Sequence, residues 1–365
     1  MIVNEETALK NKNDISIKIR NKYYKKSILS FIYLFFLFIL IADNLILRLK
    51  SQNSTKISSE EKGKKMFDID IFNKDGLLKM CYKSRTMYYI KNRRKSVESY
   101  GMKYDENNLI TLNDKLNYLL IHESPDYKSK ICDKIRLHEY SKNKLGKDIC
   151  VPILKVYKDI NEINLEELPN KFVLKCNHGS QMNILCDNKQ KFDIEQAKKS
   201  LSKWINIDYG FSSNEFQYIN IKREIFAESY LGENVLDYKV YCFNGNPKFI
   251  RVQKKMNDGS KINNYYDLNW NLTDIETGLP HFYRKPEVRF KKPTNLETMI
   301  DYAKKLSEEF VFVRVDFYNI NGNIYLGELT FSPSNNRMRF KDKNQRIYLG
   351  NLLDITKIKD YLYNN

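Results

Sequence analysis

Apolar residues fall into three textures along this chain, and each predicts a different kind of element. Ile28 to Ala42 is an unbroken apolar run that Leu45, Ile46 and Leu47 extend. Residues 28–47 therefore predict one helix; at about 1.5 Å per residue it reaches roughly 30 Å, the thickness of a bilayer's hydrocarbon. From Ser51 to Met66 the pattern dissolves into Ser, Lys and Glu, which predicts a linker. Residues 67–107 read as a helical pair with the basic run Lys91–Lys95 on an exposed face. From Thr111 onward, short periodic segments follow one another as in a packed domain. Asn113 is placed to cap a helix that carries Leu116, Leu119 and Leu120 on one face, and a second helix is predicted over Ser129–Tyr140.

Strand patterns come next. Phe172–Leu174 ends at Lys175, and a polar, glycine-containing turn leads into the apolar run Asn183–Cys186. Glu224–Leu231 predicts a strand that stops at Gly232. Asp237–Tyr241 alternates, and Asn244-Gly245 turns it back through Phe249 and Ile250. Val240, Cys242 and Phe249 are expected on one face of that hairpin, with Lys239 and Tyr241 on the other. Met299–Phe310 predicts an amphipathic helix; Val311–Tyr318 then turns at Asn321-Gly322 into a return strand, Ile324–Phe331. The fold class is α+β: a tail (1–27), an anchor (28–47), a stem (48–110), one main domain (111–352) and a short C-terminal tail (353–365).

Candidate chemistry lies where charge interrupts the apolar pattern. Arg314 and Asp316 sit opposite Val313 and Val315, and Glu328 lies on the return strand. Burying unpaired charge is costly, so this trio is either an internal Arg–Asp–Glu salt-bridge set or an oxygen-ligand site for a hard cation. Mg²⁺ uses few protein ligands and completes its shell with water and phosphate oxygens, which two carboxylates on paired strands would suit. Lys175, the Ser180 hydroxyl and the loop amides between them suit a phosphate chain; the alternative is a solvated lysine at a strand edge.

Composition narrows the partners. Lys and Arg number 62 against 45 for Asp and Glu, a net charge of +17. Such a balance fits nucleic acid, anionic lipid or phosphorylated substrates. The lysines are spread along the chain, however, and no helix-turn-helix, zinc-finger or aromatic-interleaved basic signature accompanies them, so no nucleic-acid partner is expected. The six cysteines show neither a C-x-x-C pair nor zinc spacing, and their disulfide state stays open. Lys18, Arg20, Lys22, Lys25 and Lys26 outweigh Arg48, Lys50 and Lys56 across the anchor, so a type II topology is expected. The tail is then cytoplasmic and the main domain lumenal or extracytoplasmic, with sequons at Asn53 and Asn271 open to glycosylation.

The Arg314-Val315-Asp316 strand followed by Gly327-Glu328-Leu329-Thr330 resembles the metal-binding end of the ATP-grasp fold. Phe172–Asn183, Asp237–Gly245 and Phe312–Pro333 resemble its TupA-like branch, over Thr111–Leu352. The resemblance implies two α+β subdomains holding nucleotide between them, with ATP and Mg²⁺ as cofactors. It implies Lys175 on the ATP phosphates beneath the turn of His178, Gly179 and Ser180. It places adenine against the backbone of Phe226 and Ala227, with Glu228 near the ribose. Asp316, Glu328 and Thr330 become metal ligands, and Arg314 and Lys239 the catalytic candidates. Thr330 stands where many ATP-grasp enzymes carry an asparagine ligand, and Gln181 where the branch has a second glycine.

The implied reaction is ATP-dependent conversion of a carboxylate to an acyl-phosphate, followed by amide formation with an amine. The implied setting is bacterial surface-polymer synthesis of the teichuronopeptide type, often encoded beside glycosyltransferases. A ligase joining an amino-acid-type substrate to a uronic-acid-containing glycan is expected, with Trp204, Trp270 and Tyr241 as stacking faces. Two other functions stay open: phosphate transfer or another glycosyltransferase-pathway step on a glycan, and a non-catalytic membrane-tethered binding module.

Overall fold

Two antiparallel sheets organise the chain. The computed structural model describes residues 105–358, apart from 106, 124, 234, 257 and 278–281, and all of these belong to one contact unit. The anchor 28–47, the basic run Lys91–Lys95 and the stem up to residue 104 lie outside the described residues. Among the described residues no helix is long and apolar enough to cross a membrane.

Three helices come first: α1 (Leu112–His122), α2 (Pro125–Cys132) and α3 (Leu137–Leu145). Thr111, not Asn113, caps α1: the Asp114 N–H donates to the Thr111 hydroxyl, and the Thr111 N–H donates to the Asp114 carboxylate. Asn113 is buried instead, its amide donating to the carbonyls of Asn336 and Met338. The single helix expected over Ser129–Tyr140 is two. Asp133 breaks it by accepting the N–H groups of Ile135 and Arg136, so the chain turns a corner at residues 133–136.

The small sheet has the order β1-β4-β2-β3, formed by β1 (Ile153–Tyr157), β2 (Phe172–Cys176), β3 (Asn183–Cys186) and β4 (Ile225–Ser229). One face packs on α4 (Ile194–Ile205) through Phe172, Leu174, Cys176, Ile225 and Ala227 against Ala197 and Leu201. A short helix, α5 (Tyr209–Ser213), follows α4. The large sheet has the order β10-β9-β5-β6-β7-β8, from β5 (Asp237–Phe243), β6 (Asn246–Lys255), β7 (Lys261–Tyr266), β8 (Phe282–Tyr283), β9 (Phe312–Ile320) and β10 (Asn323–Thr330). Both Asn-Gly turns form as expected, with positive φ at Asn244, Gly245, Asn321 and Gly322.

The alternation along β9 decides what each side of the large sheet does. Val313, Val315 and Phe317 join Val240, Cys242, Ile250 and Val252 beneath α6 (Leu296–Ser307), which contributes Met299, Ala303 and Leu306. The opposite face begins as a second core, where Phe312, Tyr241, Phe243, Phe249 and Tyr265 meet Leu112, Leu116 and Leu119 of α1 and Leu349 of α7 (Lys343–Asn351). Phe249 therefore shares a face with Tyr241, not with Val240. The two are directly paired across β5 and β6, and the register shifts only beyond Tyr241. Further along this face the apolar side chains give way to Arg314, Asp316 and Lys239.

Five cysteines (Cys132, Cys150, Cys176, Cys186, Cys242) are buried and free. Burial pushes Cys176 and Cys242 up to about 12, so neither is a poised thiolate. The aromatic residues expected to stack on sugar are used in packing. Trp270 lies stacked on Tyr266 and donates its ring N–H to the Phe290 carbonyl, Tyr241 is buried against Phe249, and Trp204 packs into the small-sheet core.

Candidate active site

The outer face of the small sheet is set by pairing. Val156, Phe226, Lys175 and Asn183 lie directly across from one another, and Glu228 lies across from Val173, itself opposite Leu185. Lys175 and Glu228 form an ion pair on this face, while Ala227 points the other way into the core. Leu185 and Val156 are exposed large apolar residues beside that pair, a shelf of the kind a flat aromatic ring would cover. Phe226 and Ala227, whose backbone was expected to read adenine, lie instead within β4 and are paired on both sides, with β1 and with β2. β4 ends at Ser229 and the chain re-enters at Asp237 in the large sheet.

The turn after Lys175 is held from behind. Asn177 is fully buried; its amide donates to Asp133 and to the Lys222 carbonyl, and its side-chain oxygen accepts the Glu224 N–H. Arg136 pairs with Asp133 and Glu224, closing the cluster. His178 is also buried, its Nε2 3.2 Å from the Ile207 carbonyl, so its ring anchors the turn from within. Burial, then the Arg223 charge, lowers its pKa and favours the neutral ring. Gly179 admits no side chain: a Cβ there would meet Met182 and the Tyr209 ring at 2.9 Å. Ser180 is exposed at the tip.

Gln181 takes a left-handed conformation, φ 61°, the position where a glycine was expected from the branch pattern. A non-glycine residue pays roughly 1 kcal/mol there. Gln181→Gly should leave stability unchanged or raise it by up to about 1 kcal/mol, and Gln181→Val should lower it by about 1–2 kcal/mol, as read by urea unfolding.

The corner at residues 133–136 delivers a residue that periodicity concealed. Lys134 donates to the Gly179 carbonyl at 2.5 Å. Burial lowers its pKa, opposed by the carboxylates of Glu328 and Glu228 and reinforced by the charge of Lys175. It therefore stands among the charged residues of both sheets. Reading 129–140 as one helix hides it; Asp133 as a cap inside that span was the available signal.

On the large sheet, strand register aligns Glu328, Asp316, Lys239 and Arg251 in one row and Thr330, Arg314 and Tyr241 in the next. The Arg314 guanidinium grips both Asp316 oxygens at 2.6 Å, and Lys239 donates to Asp316 at 2.8 Å. Burial pushes the Asp316 carboxyl up, but Arg314 and then Lys239 outweigh it and hold it at about 2. Arg314 is buried yet kept charged by the same pairing. Thr330 accepts from Arg314 at 3.0 Å and donates to Glu328 at 3.1 Å. Glu328 is the outward member, with its side chain 37% exposed.

The internal salt-bridge set and the cation site are therefore compatible. A carboxylate offers about four lone-pair positions; Asp316 fills three, leaving one, and Glu328 stands directly across β9 and β10 from it. That donor set fits a hard cation needing few protein ligands. Thr330 stands behind Glu328 and orients it. The two sheets meet electrostatically at Tyr318 as well: burial first, then Asp237, Glu328, Glu228 and Asp316, push its phenol well up.

A family model described as TupA-like ATPgrasp matches residues 114–354. No curated protein matches the chain. Among solved structures, the chain is similar to the D-alanine–D-alanine ligase of Bacillus anthracis complexed with ATP, at 14% identity and TM-score 0.32, covering 65% of this chain and 61% of that one. The D-alanine–D-alanine ligase of Helicobacter pylori gives 18% and 0.34, covering 62% of each chain. An L-amino acid ligase from Bacillus licheniformis gives 11% and 0.34, covering 67% of this chain and 48% of that one. The chain thus spans less than two thirds of these proteins' lengths. At such scores, the assignment rests on the family match.

Proposed function

The chain belongs to the TupA-like ATP-grasp family, and from that premise we propose that it is an ATP-dependent carboxylate–amine ligase working between its two sheets. The observation that carries this reading is that Lys134, donating to the Gly179 carbonyl, lies within the electrostatic reach of the Lys175–Glu228 pair on the small sheet and of Glu328 on the large one. Lys134 and Lys175 thus stand near carboxylates of both sheets, as a phosphate chain with its counter-ion requires.

The side chains divide the work. Val156, Val173 and Leu185 form the apolar seat for adenine, beside Glu228. Lys175 and Lys134 neutralise phosphate charge, while the amides and hydroxyl of Gly179 and Ser180 cover it. Glu328 and the open position on Asp316 would hold Mg²⁺, whose charge offsets that of the phosphates when bound. Arg314 and Lys239, fixed by Asp316, present positive charge toward the negative charge on the oxygens of the transferred phosphoryl group. A substrate carboxylate oxygen attacks the γ-phosphorus and ADP leaves. The amine nitrogen then attacks the acyl carbon, forming the amide and releasing phosphate and a proton. Surface-glycan assembly is the proposed setting, with residues 28–47 as the membrane anchor and the domain on the far side.

The test is ADP release by the full chain across carboxylate and amine panels, with product mass. Release that requires both, with loss of water from the joined product, is expected; phosphorylated hydroxyl product without an amide would overturn the ligase reading. Lys134→Met should weaken ATP binding about tenfold or more, the scale of a charge-assisted hydrogen bond, and an unchanged ATP affinity by calorimetry would remove Lys134 from the site.

A further inference from the structure

The face that carries Arg314 and Asp316 continues past them. Register places Arg251 on β6 beside Lys239, and Tyr265 on β7 beside Arg251. Two residues along, Gln253 lies between Asp237 and Asn263. Pairs directly opposite share a face, so Lys239, Arg251, Gln253, Asn263 and Tyr265 form one wall running away from the metal carboxylates.

This wall is polar, buried and incompletely satisfied. Asn263 is 2% exposed, and neither its amide nitrogen nor its oxygen has a partner. Arg251 is 5% exposed with its Nε unpartnered, and it makes no ion pair among the described residues. It is instead influenced by the Tyr241 and Tyr265 hydroxyls and, less strongly, by Asp316, with which it forms no ion pair; the Tyr265 hydroxyl also lies 2.9 Å from Thr277. A guanidinium without a carboxylate and an amide without any partner are both costly inside a protein. Two such groups on the same face, next to a reaction centre, point to a ligand that completes them. Asp316 and Asp237 do not serve: the first is committed to Arg314 and Lys239, and the second lies 3.5 Å from Lys239.

We propose that Arg251 and Asn263 bind a second carboxylate of the acyl substrate, so that the enzyme selects dicarboxylic over monocarboxylic acids. The inference rests on the ligase reading and deepens it. Strand spacing puts the Arg251 backbone roughly 10 Å from that of Asp316, whereas a reacting carboxylate must lie within about 3–3.5 Å of its phosphorus. A diacid with one carboxylate at each place spans that separation. A planar anion at Arg251 can take two N–H bonds from the guanidinium and a third from the Asn263 amide.

The probes are glutarate, adipate and suberate, with octanoate as the single-carboxylate control, titrated calorimetrically into the full chain with MgADP present. At least one diacid should bind about tenfold or more tighter than octanoate, and Arg251→Met and Asn263→Leu should each remove that preference. Asn263→Leu should at the same time raise the thermal midpoint of the ligand-free protein by about 2 °C or more, because it deletes two buried unpartnered atoms. No preference in the wild type overturns the proposal, as does a preference that survives in the Asn263→Leu protein. Failure of the ligase reading is separate: the wild type would show the diacid preference yet form no amide.

Discussion

Replacing Glu328 with alanine should reduce magnesium-dependent ATP turnover by roughly 10²–10³-fold, the scale seen when one preorganised electrostatic group is removed from a reaction centre. The fold should be indifferent to the change. Glu328 is 37% exposed on its side chain, its link to Arg314 is a long 3.4 Å, and Arg314 retains Asp316 without it. The thermal midpoint should therefore move by no more than about 2 °C. Turnover equal to wild type in the same assay would mean that Glu328 holds no cation. A midpoint that collapsed with activity would mean that its role is structural.

Asp316→Asn should behave in the opposite way, as a stability variant first. The amide preserves shape but leaves the buried Arg314 guanidinium and the Lys239 ammonium without their carboxylate. Removing one partner of a buried charge set typically costs about 3–5 kcal/mol, which urea unfolding would resolve easily. The pH dependence carries an independent signature. The native Asp316 carboxyl is held at about 2, below its ordinary value of 3.8. A depressed carboxyl contributes stability that is fully present above the unfolded value and is lost as pH falls through the folded one. Wild type should thus lose about 2 kcal/mol from this group between roughly pH 4 and pH 2. In the Asn variant that part of the acid limb should be missing. Identical acid limbs would argue that Asp316 is not tied to its cations in solution.

The local pattern revealed much of the large sheet. Period-two alternation put Arg314 and Asp316 opposite Val313 and Val315, and Asn321-Gly322 marked the turn, because both depend only on neighbouring residues. The reading of Phe249 failed because a register shift near the β5–β6 turn places it beside Tyr241. One residue of slip reverses every face assignment after it. Lys134 escaped for a related reason. A side-chain cap at Asp133 interrupts a stretch whose apolar spacing is still helical, and the corner it makes turns the lysine inward.

The chain's local order already specified the strands that carry the site, its Asn-Gly turns, the positions of its carboxylates and the family pattern over most of the domain, but not the strands at Ile153–Tyr157 and Lys261–Tyr266. Which charges meet was settled elsewhere. Asp316 faces Lys239 because β5 and β9, more than 70 residues apart, pair in one register, and Lys175 reaches Glu228 through the pairing of β2 with β4. Periodicity fixes the side of a strand on which a residue stands, since it follows from backbone geometry. The neighbour across the sheet depends on burying both faces of distant strands at once, and that requirement exists only in the folded molecule.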